Sequence, residues 1–286
     1  MKMKKIAITA DSSCDIGDEL KARYNVELTP LTVRMNEHEY TDGVDINSKM
    51  IFDNWDATHT LPSTVAVNPD YYSAVFKKYV DQGMAVIHVA LGSGLSSCCQ
   101  NANIAAAELP DVYVIDSKSL SSGCGHIVCE VGERIKLGME AADIVKEVTP
   151  LTDKVSASFI IDKLNYLAAG GRCSNTEQVG AAIMNLHPGI KVVNDKGGSM
   201  VVGKKYMGKF SKCIPKYVED QLAGRTDIVT DKLFITCSSA SIETLDEVRE
   251  QALKLQPFLE VFYTYASCTI TAHCGPNTIG VLFMTK

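Results

Sequence analysis

Residues 84–116 read MAVIHVALGSGLSSCCQNANIAAAELPDVYVID. The apolar runs at 84–91 and 112–116 lack the alternation of a half-exposed strand, so they read as short strands buried on both faces. Between them, 95–109 places its apolar residues at helical spacing. A buried strand, a glycine turn, a helix and a second buried strand form a βαβ unit, and such units build a parallel sheet covered by helices.

The flanking sequence extends this pattern. Residues 4–10 read as a strand, 15–24 as a helix and 26–35 as another strand, followed by the polar stretch 36–45. Residues 68–83 read as a helix with Asn68 at the N-cap, Pro69 in the first helical position and Gly83 at its end. From about Thr152 the rhythm changes. Residues 155–162 are strand-like, 163–171 form a short helix stopped by Gly170 and Gly171, and 175–187 read as a helix capped by Asn175. Residues 190–206 read as two strands joined by a turn at Asp195–Gly198. A helix follows, then a strand at 232–238, a helix at 241–256, and strands at 260–266 and 278–285. The expected fold class is α/β in two domains. Residues 1–152 carry a mostly parallel sheet with flanking helices, and 153–286 an α/β sandwich with a mostly antiparallel sheet.

A chain of 286 residues suits two compact units, and 46% apolar with 22% charged residues supplies ample core. A net charge of −6 argues against a nucleic-acid partner, since phosphate contacts demand clustered Lys and Arg. The N-terminus has no export pattern and no apolar run is long enough for a membrane helix, so a cytoplasmic protein without stable membrane insertion is expected. The ten cysteines read as reduced, buried small side chains. Cys124, His126 and Cys129 lack a second half with zinc spacing, and no metal is expected.

Several motifs carry chemistry. The turn at 92–97 follows a buried strand and precedes a helix, where free amides and the hydroxyls of Ser93 and Ser96 suit an anion; Gly92 and Gly94 equally suit a sharp turn. Its third glycine is missing for a dinucleotide fingerprint, and it is not a nucleophile elbow. Residues 198–204 nearly spell a P-loop, but Lys205 stands where Ser or Thr should bind magnesium and 199–202 reads as strand. Arg172 follows Gly170 and Gly171, placed either to hold the carbonyls of a helix end or to grip a phosphate or a partner's carboxylate. His273 lies beside GPNTIG (275–280), where a glycine turn frees amides next to the imidazole. Ser93 or a cysteine as nucleophile with His273 as base would make a hydrolase or acyltransferase.

Six blocks resemble the DegV family in that family's order: ITADSSCDIG (8–17), YTDGVDI (40–46), LGSGLSSCCQNA (91–102), VIDSKSLSSGCG (114–125), LNYLAAGGR (164–172) and HCGPNTIG (273–280). The resemblance implies a two-domain α/β protein holding one long-chain fatty acid in a tunnel at the interface. It further implies no other cofactor, no catalysis of the protein's own, and a carboxylate presented to a fatty-acid kinase catalytic subunit for acyl-phosphate formation. It assigns the carboxylate contacts to Thr64, Ser93 and His273, with Ser96 a weaker candidate; Gly94 and Gly275 are further ligand-site candidates, and Arg172, as an exposed cation, is the candidate for partner docking. This chain departs from the pattern at VAVN (65–68), at LHPGI (186–190) and at Met207, where kinase-linked members carry an arginine.

Overall fold

The structure is a computed structural model, and it describes residues 4–174, 176 and 185–286. Its first half is built on a four-stranded sheet ordered β2-β1-β6-β7, with every pairing parallel. In sequence the strands and helices run β1 (Ile6–Asp11), α1 (Gly17–Tyr24), β2 (Val26–Thr29), β3 (Thr32–Met35), β4 (His38–Thr41), α2 (Ser48–Thr58) and β5 (Ser63–Val65). After them come α3 (Pro69–Val80), β6 (Ala85–Ala90), α4 (Cys98–Ala106), β7 (Val112–Asp116), α5 (Ser122–Lys136) and α6 (Ala141–Val148). All six residues of β6 are buried, His88 among them, as expected of a central parallel strand. The start of α3 is fixed as its sequence dictates: the Asn68 side chain accepts the Tyr71 amide, Pro69 follows, and Gly83 ends the segment at φ +75°.

The strand expected over 26–35 is two strands. Pro30 has no N–H to continue a ladder. So β2 stays in the parallel sheet while β3 enters a separate antiparallel sheet ordered β4-β3-β5. The polar stretch 36–45 supplies β4. Asn36 and Glu37 both adopt positive φ, which the tight hairpin between β3 and β4 demands.

The second half forms a seven-stranded sheet ordered β13-β12-β14-β8-β10-β11-β9. Its strands are β8 (Val155–Ile160), β9 (Cys173–Ser174), β10 (Leu186–Val193), β11 (Ser199–Met207), β12 (Ile228–Cys237), β13 (Glu260–Tyr265) and β14 (Ile279–Thr285). Its helices are α7 (Asn165–Gly170), α8 (Phe210–Leu222), α9 (Ile242–Leu255) and α10 (Cys268–Cys274). Pairing is antiparallel except for β12 with β13 and β9 with β11. The helix expected over 175–187 lies largely outside the described residues. Its last two positions belong to β10, where Pro188 is accommodated at a register shift. The near-P-loop at 198–204 is the start of β11 and forms no phosphate cradle. All ten cysteines are free and buried. Among the described residues, no helix is long and apolar enough to cross a membrane.

Residues 268–274 do not read as helix in the sequence, yet they form α10. Its Ser267 N-cap accepts the Ile270 amide. Two buried carboxylates from the first half complete the cap: Asp15 accepts the Ser267 amide at 2.8 Å and Asp42 accepts that of Cys268 at 2.9 Å. Asp42 also accepts the Ser12 hydroxyl at 2.8 Å, and Ser12 in turn accepts the Leu31 amide. One carboxylate thus ties the entry to β3 to the N-terminus of α10.

Candidate functional site

A chamber of about 500 Å³ is lined from both halves of the chain. Leu31, Leu91, Leu95 and Leu120 come from the first half, and Phe159, Leu167, Met200 and Ile270 from the second. Its polar groups come from β5 (Thr64), from the start of α3 (Asn68), from the turn before α4 and α4 itself (Ser96, Ser97, Asn101) and from α10 (Thr269, His273), with Arg34 and Arg172 also on the wall.

Thr64 and His273, 209 positions apart, meet here: Thr64 Oγ1 lies 3.0 Å from His273 Nε2. The network around Asp42 explains why they meet. It holds Leu31 next to β3, which pairs Val33 with Thr64, and it holds the helix that carries His273. Burial, reinforced by the charge of Arg172, lowers the His273 pKa to about 4, so the ring is neutral near pH 7. Its Nδ1 has no hydrogen-bond partner among the described residues. An unused acceptor costs less than an unused donor. Hydrogen-bond accounting therefore assigns the proton to Nε2, which donates to Thr64 and leaves the Thr64 O–H to donate onward. A side chain at position 170 would collide with Nδ1, which accounts for Gly170.

Asp15 behaves differently. Burial pushes its carboxyl up to about 7, against the hydrogen bonds from Ser121 and Ser267.

The other expected site residues are placed as follows. Ser96 lines the chamber, and its Oγ accepts the Cys98 amide at 3.3 Å. Ser93 does not line it: its hydroxyl donates to Asp116 at 2.6 Å and its amide to the same carboxylate at 3.1 Å. The Gly94 amide donates to the Gly197 carbonyl at 2.8 Å, and that of Gly92 to Ser119 at 2.9 Å. The turn between β10 and β11 thus packs on the serine turn, where a Cβ on Gly92 or Gly94 would strike backbone. Within 92–97 the amides of Gly92, Ser93, Gly94 and Leu95 are taken, by Ser119, Asp116, Gly197 and Gly92 in turn, so these donors are not free for an anion. The Gly275 amide caps α10 by donating to Thr271, and a Cβ there would meet the Tyr166 ring. Arg172 is exposed and donates to the Gly170 carbonyl at 2.7 Å, supporting the end of α7 while it borders the chamber.

Thr269, Ser97 and Arg34 escape the sequence reading. Thr269 stands four positions before His273, a spacing that marks a shared face only once α10 is known to be a helix.

The pairing of Ser93 or a cysteine with His273 is not made among the described residues. His273 bonds Thr64, Ser93 bonds Asp116, and burial raises the thiols of Cys98, Cys99 and Cys274 to about 11, 12 and 12. His126, the histidine of the cysteine cluster, bonds the Leu282 carbonyl. Among the described residues, no group of His, Cys, Asp or Glu is placed to hold a metal.

Fold and chamber together define an α/β protein of two main sheets with a largely apolar chamber lined from both halves of the chain, whose polar groups include the paired Thr64 and His273. The chain belongs to the DegV family, described as "Uncharacterised protein, DegV family", whose profile matches residues 5–286. It is 31% identical to a DegV domain-containing protein of Clostridium perfringens over 99% of this chain and 100% of that one. Among solved structures it resembles a DegV family protein from Thermus thermophilus described for its fatty acid binding. That match has a TM-score of 0.87 and 23% identity over 99% of this chain and 100% of the other. It also resembles a DegV family protein from Eubacterium eligens loaded with heptadecanoic acid, with a TM-score of 0.83 and 19% identity over 98% and 100% of the two chains.

Proposed function

We propose that this protein binds one long-chain fatty acid, with the alkyl chain in the chamber and the carboxylate at Thr64 and His273. The observation that carries the reading is the Thr64–His273 contact at the edge of an apolar chamber of about 500 Å³. A chamber of that order of size suits a long alkyl chain. Burying about 15 methylenes is worth roughly 12 kcal/mol gross. Ordering the ligand removes several kcal/mol, and tight binding survives. The head group then needs orientation more than affinity: His273 holds Thr64, and the Thr64 hydroxyl donates to the carboxylate.

The fatty-acid-loaded relatives support the same ligand class. Within this reading the protein is a non-catalytic cytoplasmic carrier, and a separate kinase phosphorylates the carboxylate it presents. Exposed Arg172 at the chamber wall is the docking residue for that kinase, and Ser93 becomes a carboxylate donor only if it leaves Asp116.

A carboxylate beside His273 favours the imidazolium, so binding raises a pKa that starts near 4. Following the His273 ring by NMR through a pH titration, we expect hexadecanoate to move its midpoint upward by a unit or more and hexadecanol to leave it near its ligand-free value. An unmoved midpoint in the acid complex places the carboxylate elsewhere.

A further inference from the structure

We propose that Asp15 is a positioning residue that fastens α10, and with it one wall of the chamber, to the first half of the chain, and that the fastening loosens when Asp15 gives up its proton. Ties from both halves meet at this residue. Its carboxylate accepts the Ser121 hydroxyl, from the start of α5, and the Ser267 amide at 2.8 Å, from the N-terminus of α10. Its carbonyl accepts the Ser122 hydroxyl at 2.9 Å, and that hydroxyl lies 2.8 Å from those of Thr236 on β12 and Thr264 on β13. Beyond the cap, α10 presents Ile270 and His273 to the chamber.

The carboxyl is buried, and no ion pair involves it among the described residues. Around it stand Asp42 from the loop after β4, Cys14 beside it, Cys124 on α5, and Cys268 and Cys274 on α10. Burial keeps those thiols neutral, and Asp42 repels a second charge. An ionised Asp15 therefore gains by reaching water, which requires the cap of α10 to part. The closed interface, binding the proton more tightly, is favoured in acid. That advantage is lost as pH rises from the ordinary carboxylate range near 4 to about 7, and is gone above it. His273, held near 4 by burial, pulls the other way. The consequence for ligand rests on the fatty-acid reading; the loosening itself does not.

The test is hydrogen exchange of residues 266–274, read by mass spectrometry and corrected for the intrinsic rise of exchange with pH, in the wild type and in Asp15→Asn. Asparagine keeps an acceptor for Ser267 and tolerates the positive φ of this position. Relative to the variant, which cancels the contribution of His273, wild-type protection should fall about tenfold or more between roughly pH 5.5 and 7.5, with no such fall in β6. Ser121→Ala removes a bond that favours the charge and should move the fall to higher pH. Profiles alike in the wild type and Asp15→Asn, a fall of equal size in β6, or a fall that Ser121→Ala leaves in place would overturn the proposal. Release of hexadecanoate from loaded protein should quicken over the same window more in the wild type than in Asp15→Asn, and equal release would overturn the role at the chamber. A wild type that takes up no hexadecanoate contradicts the fatty-acid reading and leaves the exchange test standing.

Discussion

Ile270→Trp is expected to abolish fatty-acid uptake while leaving the protein folded. Ile270 lines the main chamber and also a narrow apolar pocket of about 30 Å³ behind it, so a larger ring there intrudes where the alkyl chain would pass. Overpacking a filled core costs about 1–3 kcal/mol. Here the ring enters empty space, and most of that strain is avoided. Excluding about half the chain forfeits six or more methylenes, on the order of 5 kcal/mol, or several thousandfold in affinity. Calorimetric titration with hexadecanoate and a circular dichroism spectrum together check it. A folded variant that binds with wild-type affinity would show that the chain lies elsewhere.

The second large effect falls outside the chamber. Asp42 is 2% exposed and holds the Cys268 amide and the Ser12 hydroxyl. Asp42→Leu strands both donors in the interior at about 1–3 kcal/mol each, so a loss of roughly 2–5 kcal/mol is expected. Urea unfolding should show a lower midpoint with an unchanged slope. Asp42→Asn keeps an acceptor for the Cys268 amide and should lose less than half as much. A loss below about 1 kcal/mol for Asp42→Leu would mean that α10 is held by Asp15 and its own packing alone.

These effects also mark where the sequence was legible. The unit at 84–116 could be read because a buried parallel strand and an amphipathic helix leave local signatures, as did the Asn68–Pro69 helix start. Pro30 could have been read the same way, since a residue without an N–H seldom continues a ladder. Helix α10 left little local trace. It spans seven residues, with β-branched Thr269, Ile270 and Thr271 near its start, and its N-terminus is held by Asp15 and Asp42 from more than two hundred positions away. Missing the helix hid Thr269. The serine turn left two readings open for a related reason: its amides look free locally, and only the fold brings Gly197, Ser119 and Asp116 to take those of Gly94, Gly92 and Ser93. The Thr64–His273 contact came from resemblance to a family, since nothing in the spacing of two residues 209 apart predicts that they touch.

The central claim is one fatty acid per chain. The measurement that tests it most directly is native mass spectrometry of delipidated protein before and after exposure to hexadecanoate. The account predicts a single added mass of one hexadecanoate that saturates at one per chain and is absent in Ile270→Trp. A mass unchanged at saturating ligand would contradict it, as would several weakly held copies that Ile270→Trp retains.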